Sequence, residues 1–347
     1  MWFAAFCVAV VAAACGTVLV SYPEVDFYSF WNSSRLIFEG RIADVYGPQP
    51  SALGELMPLA YPPPFLLFIA LAGLIPFGFS FCAWVAGTGL LYVYASRAPK
   101  RVALGNPSAA FNGFVGQNGF LTTAIILFGL HALRKNPAIG GAILGVMIIK
   151  PQLALLLPVA VIAGRLWAAI PAAIASAAFL LAASALIFGL ESYRGFFEVL
   201  PAYQAFLAGG RWPWERLASV FAFMHWFGAA ETLAWAVHAL VALAAAILVW
   251  LAWRRDWEAR IPILAAASLL VSPYLFTYDA VLLIAPLAWL AGKRPAWALG
   301  LAALSALPLV QALGFYSGPN TTSVTAILSL ACITRLSSRG EPQCAPA

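Results

Sequence analysis

Charged residues are scarce in this chain of 347 residues. Lys and Arg number 19 and Asp and Glu number 13, which together make up 9% of the sequence, whereas a typical soluble domain has about 25%. Soluble folds keep these side chains for their surfaces, and so few of them cannot cover a compact globule of this length. The scarcity excludes a soluble enzyme, a nucleic-acid-binding protein and a disordered chain.

Residues that bind metals or form disulfides are also few and scattered. The three histidines have no HxxxH or HExxH spacing, and the five cysteines form no CxxC pair. We therefore expect neither a His or Cys metal site nor a bound cofactor. Four of the cysteines lie in apolar stretches, where small buried thiols are expected.

Hydrophobic residues, by contrast, make up 63% of the sequence. A polytopic membrane protein needs few charges because its outer surface faces hydrocarbon, and helices must dominate it because unpaired sheet edges are not tolerated in lipid. The net charge of +6 suits the anionic headgroups of cytoplasmic lipids. Without linkers or internal repeats, the sequence predicts an all-α, polytopic integral membrane protein with a single domain over residues 1–347, in a membrane such as the bacterial inner membrane.

Apolar runs punctuated by charge predict about twelve transmembrane helices. The first run lacks a basic start and a clear cleavage site before Asp26, so we expect an uncleaved span rather than a signal peptide. The runs between residues 102 and 164 are short for a transmembrane helix, since about 14 helical residues rise only about 21 Å. The predicted spans are residues 1–20, 79–96, 102–115, 117–133, 137–150, 151–164, 166–190, 232–253, 260–275, 277–291, 295–311 and 320–335.

Two further apolar segments, residues 61–76 and 217–231, are placed by the distribution of basic residues. If neither crosses the membrane, thirteen of the nineteen Lys and Arg fall on the cytoplasmic side, in agreement with the positive-inside rule. We therefore expect both segments to lie at the outer interface or to re-enter without crossing. The outer loops are then about residues 21–60 and 191–216, and the polar motifs described next face the periplasm.

The first outer loop carries Asp26 about one turn beyond the first span. A carboxylate at this depth reaches both water and a lipid headgroup, although a solvated helix end or a partner for Arg35 would also explain it. The apolar residues between 36 and 45 predict a short interfacial helix broken at Gly40. The aromatic residues of the loop are expected to anchor it at headgroup depth: Tyr28, Phe30, Trp31 and Tyr46.

Polar residues interrupt the apolar regions at three further places. Tyr61 precedes three prolines, which fix an extended start for the next segment or serve lipid binding. Gln117 and Asn118 stand between two glycines at a predicted outer hairpin, where they would bind a sugar hydroxyl or link two helices. Lys150 ends a wholly apolar run, so it suits a phosphate contact, with snorkelling to the headgroups as the alternative.

The segment S272-P-Y-L-F-T-Y-D contains Asp279, the one acid embedded in an apolar pair of predicted spans. Such a residue is a functional hypothesis by default, although hydrogen bonds to Tyr274, Tyr278 or a helix end would also explain it. All of these polar groups fall on the outer side in the predicted topology. They would line one outward-facing cavity with acid, base and amide groups, as an interfacial active site requires.

Seven short motifs follow one another over roughly residues 20–290: D26-x-Y, G40, V45-Y-G-P, Y61-P-P, G116-Q-N, the glycine-rich run that ends in K150-P, and S272-P-Y. Their order and spacing resemble glycosyltransferase family 87, the DUF2029 group of polyprenyl-phosphate-mannose-dependent alpha-mannosyltransferases. The chain departs from the pattern after S272-P, where many members carry Trp and His.

The resemblance implies a GT-C fold and an inverting transfer of a hexose, mannose in this family, from a polyprenyl-phosphate donor to a lipid or glycan acceptor on the extracytoplasmic side. Asp26 matches the family's acidic position in the first outer loop and would be the catalytic general base. Lys150, with Arg35 or Arg211, would hold the donor phosphate. The substrate-binding residues would be Tyr28, Tyr61, Gln117, Asn118, Ser272, Tyr274 and Asp279.

Other functions stay open at this point. A transporter or lipid flippase with an outward-facing polar cavity predicts inverted repeats and broken helices in matching halves, and the sequence has no internal symmetry. A purely structural membrane subunit leaves the one-sided polar set unexplained. Within the enzyme class, an arabinosyl or glucosyl transferase of the GT-C type is a further alternative.

Overall fold

The computed structural model describes residues 2–20, 25–50, 56–208 and 214–340. These residues are overwhelmingly helical, which confirms the all-α prediction. The strands found among them are β1 (Gln49–Pro50) and β2 (Leu56–Met57), which pair antiparallel with Gln49 opposite Met57.

Seventeen α-helices lie within the described residues. In chain order they are α1 (Trp2–Val20), α2 (Phe27–Phe38), α3 (Pro63–Ile69), α4 (Phe77–Ser96), α5 (Lys100–Leu104), α6 (Pro107–Val115), α7 (Gly119–Leu133), α8 (Pro137–Gly145), α9 (Leu157–Ala163), α10 (Ala169–Ala208), α11 (Val220–Trp226), α12 (Glu231–Arg254), α13 (Arg260–Val271), α14 (Ile284–Lys293), α15 (Pro295–Ser305), α16 (Leu307–Ala312) and α17 (Thr322–Gly340). Short 3-10 helices connect several of them: Ile42–Tyr46, Ala72–Leu74, Val146–Ile149, Pro151–Leu153, Trp214–Arg216 and Thr277–Leu283.

The chain divides into two compact units, each assembled from segments distant in sequence. The first unit contains Met1–Arg97, Ala109–Pro151 and Trp167–Pro213, and the second contains Ala98–Ser108, Gln152–Leu166 and Trp214–Ala347. The single integral domain expected from the sequence stays a prediction.

Four helical segments of the described residues are long and apolar enough to cross a membrane: Phe77–Ser96, Ala169–Pro201, Glu231–Arg254 and Pro295–Ala312. Five shorter apolar helices coincide with further predicted spans: Ala4–Leu19, Gly119–Leu133, Pro137–Ile149, Arg260–Val271 and Thr322–Ser337. The helices therefore indicate a polytopic membrane protein, while the count of about twelve crossings stays a prediction.

Several of the predicted spans are not continuous α-helices. Segment 102–115 is broken between α5 and α6, because Pro107 cannot continue a helix from the residues before it. Segment 151–164 contains a 3-10 turn followed by the seven residues of α9, which rise only about 10 Å. Segment 277–291 begins as a 3-10 helix and becomes α14 only at Ile284.

The two leftover apolar segments contain only short α-helices. Segment 61–76 holds the seven-residue α3 and the 3-10 turn Ala72–Leu74, and the rise of α3 is about 10 Å. Its start has Pro62 in extended conformation and Pro63 in the first turn of the helix, where proline is well tolerated. Segment 217–231 holds the seven-residue α11. Neither segment is an ordinary transmembrane helix, as expected.

The segment 191–216, expected to be an outer loop, is helical as far as Ala208 because α10 continues into it. The helix is interrupted at Gly189, whose φ of 75° lies in the left-handed region that glycine adopts without strain. Beyond this break, Arg194 Nε lies 2.8 Å from Glu198 Oε1 one turn later, an ion pair that supports an exposed helix.

The helix predicted in the first loop is present only in part: α2 covers Phe27–Phe38 and ends before Gly40, whose φ is 73°, and Ile42–Tyr46 beyond the break form a 3-10 helix. The prediction that its aromatic residues anchor at headgroup depth is wrong for Phe30, Trp31 and Tyr46, which are all buried in the protein. Phe30 and Trp31 are buried because α2 packs against α3 and α4, and Tyr46 is buried because the 3-10 helix Ile42–Tyr46 packs against α10. The Phe30 ring lies 5.0 Å from the Phe65 ring, and burial raises the pKa of the Tyr46 hydroxyl above its usual range.

Glycines in α8 allow it to approach its neighbours closely. A β-carbon at Gly141 would lie 2.1 Å from the Ala169 carbonyl oxygen of α10, and one at Gly140 would lie 2.6 Å from the Leu133 nitrogen of α7. Only glycine, whose side chain is a hydrogen atom, allows two helix backbones to come this close. The end of α8 is thereby fixed, and the 3-10 helix that follows it leads directly to Lys150.

Candidate functional site

Four of the predicted site residues meet in the first unit. Lys150 Nζ lies 3.1 Å from Asn118 Oδ1 and 5.6 Å from the centre of the Tyr61 ring. The Tyr61 hydroxyl donates to Gln117 Oε1 at 3.1 Å. Three motifs, 56 and 32 residues apart in sequence, thus form one hydrogen-bonded cluster, which we call the Lys150 cluster: Tyr61, Gln117, Asn118 and Lys150.

The lysine of this cluster is 1% exposed. It is directed inward by its position between a 3-10 turn and Pro151, since the residue before a proline is held in extended or turn conformation. A buried ammonium costs several kcal/mol unless it is paired or hydrogen-bonded, and here a carboxamide oxygen and an aromatic face contact it. Snorkelling, the alternative weighed from the sequence, is therefore wrong for Lys150.

The carboxamides of the cluster lie in the turn between α6 and α7, as predicted. The Asn112 carbonyl oxygen accepts from Gly116 N at 2.9 Å and from Gln117 N at 3.3 Å, which ends α6 in the manner of a glycine cap. Gly116 has a φ of 70°. Both carboxamide side chains are buried, with Gln117 7% and Asn118 0% exposed, so the turn belongs to the interior of its unit.

The start of α2 touches the same turn. A β-carbon at Gly116 would lie 2.7 Å from Phe27 Cβ and 2.6 Å from the Phe81 ring, so Phe27 packs directly on the turn that carries the carboxamides. Asp26 immediately precedes Phe27 and is half-buried. Its side chain makes no cap hydrogen bond to α2, and the helix N-terminus favours a negative charge at this position.

Two other residues predicted for the first unit lie elsewhere on α2. Tyr28 packs its ring 5.9 Å from Trp31 and 5.8 Å from Phe77. Arg35 is nine residues beyond Asp26, about 13 Å along the helix, where its exposed guanidinium pairs with Glu39 at 3.1 Å. The sequence-based pairing of Asp26 with Arg35 is therefore wrong. Arg211 lies outside the described residues.

The remaining predicted residues belong to the second unit. Ser272 is buried, and its hydroxyl oxygen accepts from Tyr274 N at 3.3 Å, while the Tyr274 side chain is 40% exposed. Asp279 is 1% exposed, and its Oδ2 accepts from Phe276 N at 3.1 Å at the start of the 3-10 helix. This hydrogen bond is the helix-end role considered as an alternative from the sequence.

Comparison with known families tests the resemblance drawn from the motifs. The model of glycosyltransferase family 87 matches residues 59–273. The chain belongs to glycosyltransferase family 87. No curated protein and no solved structure matches it.

Membership of family 87 together with the apolar helices makes this chain a membrane glycosyltransferase, which takes a sugar donor and an acceptor as substrates. The matched range includes the whole Lys150 cluster and Ser272. Asp26 lies before the range, and Tyr274 and Asp279 lie after it, so their roles rest on motif order and geometry.

Sequence reasoning missed one polar residue of this candidate site. Asn112 is 0% exposed, and its Oδ1 accepts from Gly119 N at 2.8 Å, which ties the last turn of α6 to the first turn of α7. The available signal was an asparagine inside an otherwise apolar helix, six residues before Asn118. Among the described residues, no group of His, Cys, Asp and Glu is suited to hold a metal ion.

Proposed function

We propose that this family 87 glycosyltransferase is an inverting enzyme that moves a hexose, mannose as the first choice, from a polyprenyl-phosphate donor to a lipid or glycan acceptor. The observation that carries the proposal is the buried Lys150 ammonium in the same unit as Asp26, joined to it through the α6–α7 turn and Phe27. An ammonium that can bind an anion, together with a carboxylate in the same unit, suits a donor whose leaving group is a phosphate.

In the proposed reaction, the Asp26 carboxylate removes the proton of an acceptor hydroxyl while that oxygen attacks the anomeric carbon. The bond from this carbon to the phosphate oxygen breaks, its electron pair stays with polyprenyl phosphate, and the sugar configuration inverts. A base placed in this way contributes about 10²–10⁴-fold to the rate. The position of Asp26 supports the assignment, because it directly precedes Phe27, which packs on the turn that carries Gln117 and Asn118.

Lys150 is proposed to hold the phosphate as negative charge develops on it. An ammonium that is already removed from water stabilises such charge more strongly than a solvated one. Asn118, Gln117 and Tyr61 are proposed to line the same donor site. We do not extend the phosphate role to Arg35, because its guanidinium is exposed and paired with Glu39.

A GT-C arrangement of about twelve spans, with the site facing the periplasm, is part of the proposal. Its support is the distribution of basic residues, which falls mostly on one side when segments 61–76 and 217–231 do not cross. We expect a topology reporter inserted after Arg134 or Arg255 to give a cytoplasmic signal, and one after residue 208 a periplasmic signal. A periplasmic signal after Arg134 would contradict the proposed placement of the site.

The donor class is tested with purified enzyme in lipid nanodiscs and radiolabelled mannose. We expect label to move to a membrane-derived acceptor fraction from polyprenyl-phosphate-mannose and not from the nucleotide sugar. Transfer from the nucleotide sugar alone would overturn the proposal, and labelled polyprenyl-phosphate-glucose or -arabinose in parallel reactions would identify a different sugar.

A further inference from the structure

Two carboxamides of the α6–α7 turn have a fixed orientation. Asn118 Oδ1 accepts from the Lys150 ammonium at 3.1 Å, and Asn112 Oδ1 accepts from the backbone nitrogen of Gly119 at 2.8 Å. An ammonium and a backbone N–H can only donate. Neither carboxamide can therefore be turned around without placing two donors against each other.

The amide nitrogens of these two residues have no acceptor within the described part of the chain. Asn112 Nδ2 and Asn118 Nδ2 are both buried and make no hydrogen bond there, and both residues are 0% exposed. Buried donors without a partner are rare in folded proteins. The same turn thus offers two amide donors, one of them on the carboxamide that already holds Lys150.

The chemistry of these groups selects one type of ligand atom. An ammonium and two amide N–H groups only donate, while the neighbouring Gln117 Oε1 is already engaged by the Tyr61 hydroxyl and by Asn118 N. A sugar hydroxyl brings a proton that needs an acceptor, whereas a non-bridging phosphate oxygen only accepts. A set of donors alone therefore matches phosphate better than a hydroxyl.

We propose that Asn118 determines the specificity of this site for phosphate by donating its Nδ2–H to a non-bridging oxygen of the lipid donor, with Asn112 as a second donor in the turn. The inference rests on the proposed function, because it takes the phosphate to be that of a polyprenyl-phosphate sugar. Lys150 then has two roles: it supplies positive charge, and it fixes the orientation in which Asn118 donates.

The test replaces the hydrogen-bond donor of the Asn118 side chain with an acceptor. Asn118→Asp keeps an oxygen for Lys150 and replaces the amide donor with a second carboxylate oxygen. Binding of farnesyl phosphate and of farnesol to the purified full chain is measured by calorimetry. We expect N118D to weaken farnesyl phosphate binding by about 10–150-fold, the range for a hydrogen bond to a charged group, and to leave farnesol binding unchanged.

Asn136→Asp is the matched control. Asn136 is exposed and caps α8 by accepting from Ile139 N at 3.1 Å, and Asp caps a helix equally well, so both affinities should equal those of the wild type. If N118D binds farnesyl phosphate as the wild type does, Asn118 is only a structural link and the inference is wrong.

Two further outcomes are also decisive. A wild type that binds farnesol as tightly as farnesyl phosphate contradicts the proposed donor class itself, which separates that failure from a failure of Asn118. If N118D loses farnesol binding as well, as a misfolded variant would, Asn112→Asp makes the same polarity change and keeps the oxygen that accepts from Gly119 N. Weaker farnesyl phosphate binding with normal farnesol binding in N112D supports the inference, and unchanged binding of both rejects it.

Discussion

Replacing Asp26 with Asn is expected to lower the rate of sugar transfer by about 10²–10⁴-fold, the contribution of a well-placed general base. Asn matches the shape of Asp but cannot take the acceptor proton. Because the shape of the side chain is kept, the variant should fold and bind donor. Initial rates at saturating donor and acceptor, measured with the labelled donor in nanodiscs, give the change in turnover.

Asp44→Asn is the matched control for this experiment. Asp44 lies in the same segment between α1 and α3, is exposed, and pairs with Arg41 at 2.7 Å. An exposed ion pair of this kind contributes at most about 1 kcal/mol to stability, so D44N should transfer sugar at the wild-type rate. A D26N enzyme that also turns over at the wild-type rate would remove Asp26 from the mechanism.

Replacing Lys150 with Met is expected to lower turnover by about 10²–10³-fold, the loss found when one group that stabilises developing charge is removed. The stem length is kept and the charge is lost. Stability should change little, because the Asn118 oxygen loses its donor while a buried ammonium no longer has to be removed from water. Rates at varied donor concentration separate turnover from donor affinity.

Lys135→Met removes the same group from an exposed turn after α7 and should leave both rate and affinity unchanged. If K150M keeps wild-type turnover and donor affinity, the phosphate role fails. Lys150 would then be a structural group that holds the α6–α7 turn.

The residues of the Lys150 cluster could be predicted because polar groups are costly in apolar surroundings. Tyr61, Gln117, Asn118 and Lys150 each stand beside a proline or glycine in a long apolar run, and this pattern is visible without a structure. Their mutual contacts could not be predicted, because spacing along the chain does not say which turns meet.

The aromatic residues of the first loop show the opposite case. Phe30, Trp31 and Tyr46 are large and apolar with, in two cases, a polar tip, a composition that suits a headgroup anchor and a protein core equally. Only the packing of α2 on α3 and α4, and of the 3-10 helix Ile42–Tyr46 on α10, distinguishes the two. Hydropathy also does not reveal the break before Pro107, because an apolar run that contains a proline has nearly the same mean hydropathy as one that does not.

The helical part of segment 191–216 was open to prediction from charge spacing. Arg194 and Glu198 are four residues apart, the spacing of a helix-stabilising ion pair. Charge content alone favours a loop here, whereas the spacing of Arg194 and Glu198 favours a helix.

Gly189, whose φ lies in the left-handed region, also bears on how much of α10 fits within a membrane. The 33-residue helical segment Ala169–Pro201 would rise about 50 Å as one straight helix, well beyond a hydrocarbon layer of about 30 Å. From Ala169 to Phe188 the rise is about 30 Å, and the first charged residue, Glu191, follows just after the glycine. With Ala169 at one edge of the hydrocarbon, the change of direction at Gly189 would fall at the other edge, and the chain would leave the bilayer before Glu191, Arg194 and Glu198.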